Sequence, residues 1–473
     1  MKVSPEKEND QRARPQAKAG KAFFGVQDMT SGDPFRGIVR FSVPLLIGNF
    51  AQQLYNTADS IIVGNYIGDT ALAAVGTAGP IMNLLFVLLM GVATGASILS
   101  AQFFGAKDRE KLSRTVGSTI FLTLASGIVM MLAGYFLSPL LIGLVTPPPD
   151  VGAGAVIYLQ IIFLGILGTS AYNILSGVLR GMGDSVAPLC YLAAACLLNI
   201  ALDLLFVRSM GIAGAALATI ISQFLSGALC LARLVRMKNV IDLNKTTLRP
   251  DKDLVVRLTR LGMPAGMTQA IFSASAMIVQ GLTNSMGTAM IAANVAVMRV
   301  DGFAMMPNFT WGTASTTYVG QNIGAGRRDR LGPGVRAMLR LALGTGAALV
   351  LCVLLFGRNL ISLFTSTENV ISLGTRGLRW LAFGYLCFAV TQVLQGVMRG
   401  AGETMIPMWI GVFTTVILRM PLAWGIAAVT KSAEWPTGHP DAIFSSLLTS
   451  WVVGMAITVV IYARGRWKKK AFN

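Results

Sequence analysis

Five ionisable side chains lie inside long apolar stretches of the sequence, and their chemistry limits what the chain could do. Three are carboxylates, Asp59, Asp203 and Asp301, and two are arginines, Arg299 and Arg419. A buried carboxylate can hold a hard cation through its oxygens, or it can take up a proton, because burial disfavours its charged form. Ionisable groups in apolar segments are costly, so each is expected to have a functional or a pairing role.

Asp59 and Asp203 are the strongest candidates for a shared site. Each lies near the far end of an apolar helix, and at about 1.5 Å per residue both come to roughly 7 Å below the surface. Asn199 is one helical turn from Asp203, Asn56 is near Asp59, and Thr219 lies in the neighbouring segment. Such oxygen donors could bind Na⁺ between Asp59 and Asp203, or the carboxylates could share a proton. Alternatively, each Asp only hydrogen-bonds to polar neighbours and holds helices together.

Arg299 and Asp301 form a second, separate set of candidates. They are two residues apart on a helix, so their side chains point about 200° apart and do not pair directly. Asp301, near the middle of its helix, could meet a cationic substrate in a central cavity that Asn56 and Arg299 also line. Alternatively, it could pair with an arginine or a polar group of another helix.

These residues are embedded in a polytopic membrane protein. The chain has 473 residues, of which 54% are hydrophobic and only 13% charged, with a mean hydropathy of +0.63. Several apolar stretches exceed the roughly 18 residues that cross a bilayer, and such spans must be helical because lipid cannot satisfy an open strand edge. The predicted fold is all-α, with twelve transmembrane helices at 38–64, 74–104, 116–141, 151–178, 186–208, 212–236, 254–284, 288–321, 334–357, 372–398, 405–429 and 441–464.

The twelve helices are predicted to form two parallel copies of a six-helix unit. VLRGMGDSVAP at 178–188 matches VMRGAGETMIP at 397–407, and QFFGAKDREKL at 102–112 matches QNIGAGRRDRL at 321–331. Both pairs are offset by 219 residues, from 178 to 397 and from 102 to 321. Parallel repeats are typical of transporters with a site between the halves. We interpret the RGxGD/E segments as tight turns and not as phosphate-binding loops, because they lack the flanking strand.

The distribution of charge predicts the orientation. Of the 39 Lys and Arg residues, 32 fall on the side that carries both termini, five on the opposite loops and two inside helices. This asymmetry predicts a multi-pass protein of the cell's inner or plasma membrane with both termini in the cytoplasm. The predicted parts are a basic, disordered cytoplasmic tail at 1–36, an N-lobe at 37–236, a cytoplasmic linker at 237–253, a C-lobe at 254–464 and a basic cytoplasmic tail at 465–473.

Other functional classes find little support in the sequence. The net charge of +18 is explained by the cytoplasmic loops, so no nucleic-acid partner is expected. The five cysteines lack metal-ligand spacing and are expected to be small core residues. There is no nucleophile–base set inside the spans, which argues against an enzyme, and no GxxxxGK[ST] sequence, which argues against direct ATP drive.

The combined motifs resemble the multidrug and toxic compound extrusion (MATE) family. The resemblance covers about residues 35 to 465 and rests on FSVPLLIGNFAQQLYNTADSIIVG, QFFGAKD, VGQNIGAG, the two RGxGD/E turns and NIALD…GIAGAALAT. It implies two six-helix lobes around a V-shaped cavity, and export of cationic or amphipathic compounds in exchange for Na⁺ or H⁺. No cofactor beyond the coupling ion is implied. A monomer in contact with membrane lipid is expected.

The resemblance also implies site residues. Asp59, Asn199, Asp203 and Thr219 match the family's N-lobe cation site, whereas the C-lobe acids of the NorM branch are missing from AGMTQAIFSAS and CFAVTQVLQG. The chain is therefore more similar to the DinF-type or MepA-like branch. The alternative function is a lipid-linked oligosaccharide flippase of similar architecture, which would need a more cationic cavity.

Overall fold

Helices account for almost all of the described residues, because a backbone in lipid must satisfy its polar groups internally. The structure is a computed structural model that describes residues 25–67, 69–145, 149–465 and 467–468. Within these residues, fifteen α-helices are numbered in chain order as α1 Pro34–Ile67, α2 Asp69–Gly105, α3 Arg109–Val145, α4 Pro149–Leu164, α5 Ile166–Gly181, α6 Val186–Met210, α7 Ile212–Arg236, α8 Lys252–Ser285, α9 Thr288–Ala304, α10 Met306–Gly324, α11 Arg328–Ser362, α12 Glu368–Gly400, α13 Met405–Val412, α14 Met420–Val429 and α15 Asp441–Ala463.

Each of the twelve predicted spans corresponds to one helix or to one interrupted helix. The fourth span bends by 54° at Gly165, between α4 and α5. The eighth is interrupted at Met305, just before Pro307, and the eleventh contains a π-helical turn at Phe413–Arg419 just before Pro421. Proline has no N–H to donate, so each of these prolines removes a helical hydrogen bond. The predicted all-α fold is confirmed. The structure adds the interruptions in the fourth, eighth and eleventh spans.

The length and composition of the observed helices give a second indication of which segments cross the membrane. Among the described residues, eight helical segments are long and apolar enough to cross a membrane, and a ninth results when α4 and α5 count as one span. The first helix is more polar along its length, with Asn49, Gln52 and Gln53 in one stretch. Such polar spans need protein neighbours or an aqueous cavity along one side.

The hydrophobic core is divided between the two lobes, but two helices cross between them. The first half of α1 places Ile38 and Phe41 against Trp311 and Tyr318 of the C-lobe. Reciprocally, Leu258 in the first half of α8 packs in the N-lobe core. All of these side chains are at least 95% buried. The two lobes are therefore interleaved at one end of the bundle.

That end also carries the first and the last described residues of the chain, and we call it the termini face. Met29 is 2% exposed, and its N–H donates to Gln321 while its carbonyl accepts from Asn322. Trp467 is also 2% exposed and packs in the same core cluster. The expected disorder of the tail at 1–36 does not hold for its last part, because Met29 and Thr30 are buried and α1 begins at Pro34, while residues 1–24 lie outside the described residues.

The linker at 237–253 is ordered too, because its backbone is anchored on α3. The N–H of Asp242 donates to the Ser113 hydroxyl at 2.8 Å, and that of Asp251 donates to the Ser118 hydroxyl at 3.1 Å. The cysteine expectation was only partly right. Cys230 and Cys387 are buried core residues, but the other three are at least partly accessible, with Cys190 and Cys352 exposed. A thiol on an outer helix face can contact lipid as readily as core.

Both RGxGD/E segments form turns, as predicted. Gly183 and Gly402 have φ angles of +89° and +84°, in the left-handed region that favours glycine. In the first turn, Asp184 is 1% exposed. One of its carboxylate oxygens accepts two hydrogen bonds from Arg233, at 2.9 and 3.1 Å, and the other accepts from the N–H of Ala187 at 3.0 Å. The turn is therefore fixed to α7 through an ion pair in which the carboxylate is buried and the arginine is partly exposed.

Replacing Arg233 by Met is expected to lower the free energy of unfolding by about 1–3 kcal/mol, because Asp184 would remain buried without its cation. The loss is smaller than for a fully buried pair because Arg233 is 34% exposed. Unfolding in mixed detergent micelles would measure it. Arg358→Met, in the exposed pair with Glu368, is the control and should change the stability clearly less than Arg233→Met does. Equal losses in the two variants would contradict a special role for the Asp184 pair.

Candidate functional site

The N-lobe carboxylate site is built by the close packing of α6 and α7. Asn199 and Asp203 share one face of α6, and both are 0% exposed. In the amide orientation that satisfies both neighbours, the Asn199 nitrogen donates to Asp203 at 2.9 Å and its oxygen accepts from the Thr219 N–H at 3.2 Å. Ala215 and Ala218 are buried in this contact, and small side chains allow two helices to approach closely. Three of the predicted residues are thus brought together.

The helix that carries Asp59 and Asn56 runs beside this site. Ile62, three residues after Asp59, packs in one cluster with Val207, four residues after Asp203. The backbones of the two stretches are therefore neighbours at a similar depth. Asn56 and Asp59 belong to α1, but their side chains lie outside the described residues. The structure brings the helices together, and the meeting of the two carboxylates stays a prediction.

A cavity of about 510 Å³ opens next to the carboxylate site. It is enclosed by α1, α2, α4, α5, α6 and α7, and Thr219 is part of its wall. Its apolar walls include Phe86, Met82 and Met90. Its polar lining includes Asn49, Gln52, Tyr55, Asn173, Arg180 and Gln223. The volume is in the range of cavities that hold drug-sized molecules.

The two C-lobe candidates, Arg299 and Asp301, lie in different environments. Arg299 is exposed on the surface of α9, whereas Asp301 is partly buried, with the Tyr385 hydroxyl and, more distantly, the Arg419 guanidinium as its electrostatic neighbours. The two side chains therefore diverge, as their spacing requires. The positive charge of Arg419 reduces the attraction of Asp301 for a cationic substrate.

Two elements of this C-lobe cluster were missed by sequence reasoning. Tyr385 looked like one aromatic residue among many in an apolar helix, and no motif marked it. The π-helical turn adds one residue to a helical turn and so changes the direction in which Arg419 points. Pro421 was the available signal, because it removes a backbone donor at this position.

At the termini face, the two lobes are joined by a symmetric pair of hydrogen bonds. The amide of Gln102, in the N-lobe, donates to the carbonyl of Gly400 in the C-lobe turn at 3.0 Å. The amide of Gln321, in the C-lobe, donates to the carbonyl of Gly181 in the N-lobe turn at 3.1 Å. Both pairs follow the 219-residue offset of the repeats. We call this arrangement the glutamine clasp.

The glutamine clasp depends on two glycines. A Cβ atom at Gly105 would overlap the carbonyl oxygen of Gln321, and one at Gly324 would overlap the carbonyl oxygen of Gln102. The C-terminal ends of α2 and α10 therefore touch backbone to backbone. The repeated GA dipeptides of QFFGA and QNIGA are explained by this contact as well as by the turns that follow. The termini face is closed in this structure.

Both halves of the chain match the same family of known proteins. A family model described as MatE matches residues 44–205 and 264–424, one segment in each half of the chain. The chain belongs to the MatE family. The predicted resemblance is thereby confirmed, including the similarity to DinF-type and MepA-like relatives.

Individual relatives of the MatE family match along most of the chain. The probable multidrug resistance protein YpnP of Bacillus subtilis is 30% identical over 93% of this chain and 97% of its own length. The DNA damage-inducible protein F of Escherichia coli is 26% identical over 78% and 82%. A crystal structure of a MATE protein in the straight conformation superposes with a TM-score of 0.87 at 23% identity, covering 95% of this chain and 99% of that one. This MatE chain is a multi-pass membrane transporter and not an enzyme.

Proposed function

We propose that the protein is a secondary antiporter that exports amphipathic or cationic organic compounds in exchange for Na⁺ or H⁺. The observation that carries the proposal is the fully buried Asp203, hydrogen-bonded to Asn199 and one residue layer from the cavity through Thr219. Burial disfavours an ionised carboxylate, so Asp203 is suited to bind a hard cation or a proton. Binding of an ion or a proton at Asp203 can therefore affect the cavity wall through Thr219.

The coupling site that we propose consists of Asp59, Asn199, Asp203 and Thr219, with Asp59 and Asp203 as the direct ligands of Na⁺ or the carriers of H⁺. Carboxylate, amide and hydroxyl oxygens are the ligands that a hard cation prefers. The packing of Ile62 against Val207 supports the inclusion of Asp59, because it places the two helix stretches side by side. The same carboxylates can instead bind a proton, so imposed Na⁺ and pH gradients are needed to distinguish the two ions.

The transport cycle that we propose is alternating access. The glutamine clasp closes the termini face, and export requires this face to open so that substrate can enter. A coupling ion can drive such a change only if it binds the two arrangements with different affinity. The names of relatives such as YpnP support drug-like substrates. Exchange in which ion binding and substrate binding favour opposite arrangements produces antiport.

The function is tested by dye efflux from proteoliposomes under separately imposed Na⁺ and pH gradients. Ethidium is a suitable cationic probe, and liposomes without protein provide the background. Efflux that follows one imposed gradient would support the proposal and identify the ion. Efflux that needs ATP and ignores both gradients would contradict it. A flippase of lipid-linked oligosaccharide is less well supported, because Arg180 is the one charged residue in the described cavity lining.

We further propose that the termini face is cytoplasmic, because 32 of the 39 Lys and Arg residues belong to that side. The test uses single cysteines in a variant without the natural five. Ala433→Cys, on the opposite face, should react with a membrane-impermeant maleimide on intact cells. Lys245→Cys, in the linker, should react only after lysis, since both residues are exposed and differ in side alone. The reverse pattern would invert the proposed topology.

A further inference from the structure

The first RGxGD turn contributes more than a turn, because its arginine projects into the N-lobe cavity. Arg180 lies in the last turn of α5 and is part of the cavity wall together with Tyr172 and Tyr158. The sequence alone indicated only a tight reversal at this position. The cavity therefore has a cationic group at the end of α5, with aromatic side chains around it.

The acid that stands nearest to Arg180 in sequence does not neutralise it. Asp184 is occupied by Arg233 through one carboxylate oxygen and by the N–H of Ala187 through the other. The ionisable groups that do interact with Arg180 are the Tyr172 hydroxyl and the Cys230 thiol. Both are ordinarily neutral at pH 7. None of the ion pairs within the described part of the chain includes Arg180.

A guanidinium in this position has a specific chemical preference. Its planar array of donors matches a carboxylate with two parallel hydrogen bonds, and it gives up water more readily than an ammonium group does. A cation held away from bulk water attracts an anion strongly, because the charge is otherwise uncompensated. The aromatic and methionine side chains of the cavity supply contacts for an apolar ring.

We infer that Arg180 is an anion-binding residue of the cavity and that it recognises the carboxylate of aromatic, amphipathic substrates. The inference deepens the proposed function, on which it rests, since it extends the exported compounds to carboxylates and zwitterions. The equivalent residue of the second copy is Arg399, which approaches Gly312 of α10 and is not part of this cavity. Arg399 therefore provides a matched control in the same kind of turn.

The test is a binding measurement that needs no ion gradient. Calorimetry with the full chain in nanodiscs would compare 2-naphthaleneacetate with the neutral 2-naphthaleneethanol, with empty nanodiscs as the blank. The wild type should bind the carboxylate about tenfold more tightly, since a hydrogen bond to a charged group is worth that much. Arg180→Gln should lose this preference, and Arg399→Gln should keep it. A purely structural role of Arg180 would alter both affinities together.

Several outcomes would overturn the inference. Equal affinity of the wild type for the two compounds, or an unchanged preference in Arg180→Gln, would exclude carboxylate recognition by Arg180. If Arg180→Gln does not fold, Arg180→Lys keeps the charge but loses the paired hydrogen bonds, so the preference should fall without vanishing. Failure of ion-driven efflux with an intact carboxylate preference would reject the antiport proposal alone. Ion-driven efflux without that preference would reject this inference alone.

Discussion

Asp203→Asn is expected to reduce ion-driven efflux to the level of protein-free liposomes while the protein still folds. The amide has the shape of the carboxylate, but it neither binds a proton in the physiological range nor balances the charge of Na⁺. Asn199 can still hydrogen-bond to the new side chain, so α6 and α7 remain packed. Stability should be unchanged or higher, since a buried charge is replaced by a neutral group. Asp59→Asn should abolish coupled efflux as well.

The control for Asp203→Asn is Glu368→Gln, the same chemical change in an exposed ion pair with Arg358. It should retain the efflux of the wild type, because exposed pairs contribute little. Thermal unfolding in detergent must show that all variants are folded. Full gradient-driven efflux by both Asp203→Asn and Asp59→Asn would contradict the proposed coupling site. A loss in Asp203→Asn accompanied by unfolding would instead assign Asp203 to helix packing.

The sequence was sufficient for the features that repeat along the chain. The apolar stretches gave α6 and α7 nearly to the residue, predicted at 186–208 and 212–236 and observed at Val186–Met210 and Ile212–Arg236. The i,i+4 spacing of Asn199 and Asp203 placed them on one face, and the small-residue run GAALATIIS placed Thr219 in the neighbouring helix. Hydrophobic periodicity and residue spacing are properties of short stretches, so helix bounds and shared helix faces can be predicted from the sequence alone.

Contacts between distant segments could not be read in the same way. Nothing in the sequence around Ile38 and Phe41 shows that these side chains pack against the C-lobe, because an apolar residue does not specify its partner. The role of Arg180 was hidden for a related reason. The sequence places Arg180 four residues before Asp184, and only the structure shows that Asp184 pairs with Arg233. The proposed role of the Arg180 charge in the cavity becomes visible only when Arg233 is found to pair with Asp184.

Gly105→Leu and Gly324→Leu are each expected to prevent closure of the termini face and to abolish efflux. A side chain at either glycine overlaps the backbone of the opposite lobe, so the closed arrangement would have to separate. A penalty of about 5.5 kcal/mol is enough to move a two-state equilibrium from 99:1 to 1:99. The two variants should have similar effects, because Gly105 and Gly324 are equivalent in the two copies and touch Gln321 and Gln102 respectively.

The distance between the lobes measures this change directly. Spin labels on Ala106→Cys and Arg327→Cys, in a background without the natural cysteines, report on the turns after α2 and α10. Either leucine variant should shift the distance distribution to longer values, and bound coupling ion or substrate should no longer restore the short distance. Gly332→Leu is the control, because a Cβ there meets nothing within 4 Å. Unchanged distances in both variants would show that the glutamine clasp is static, and export would then need a different entry route for substrate.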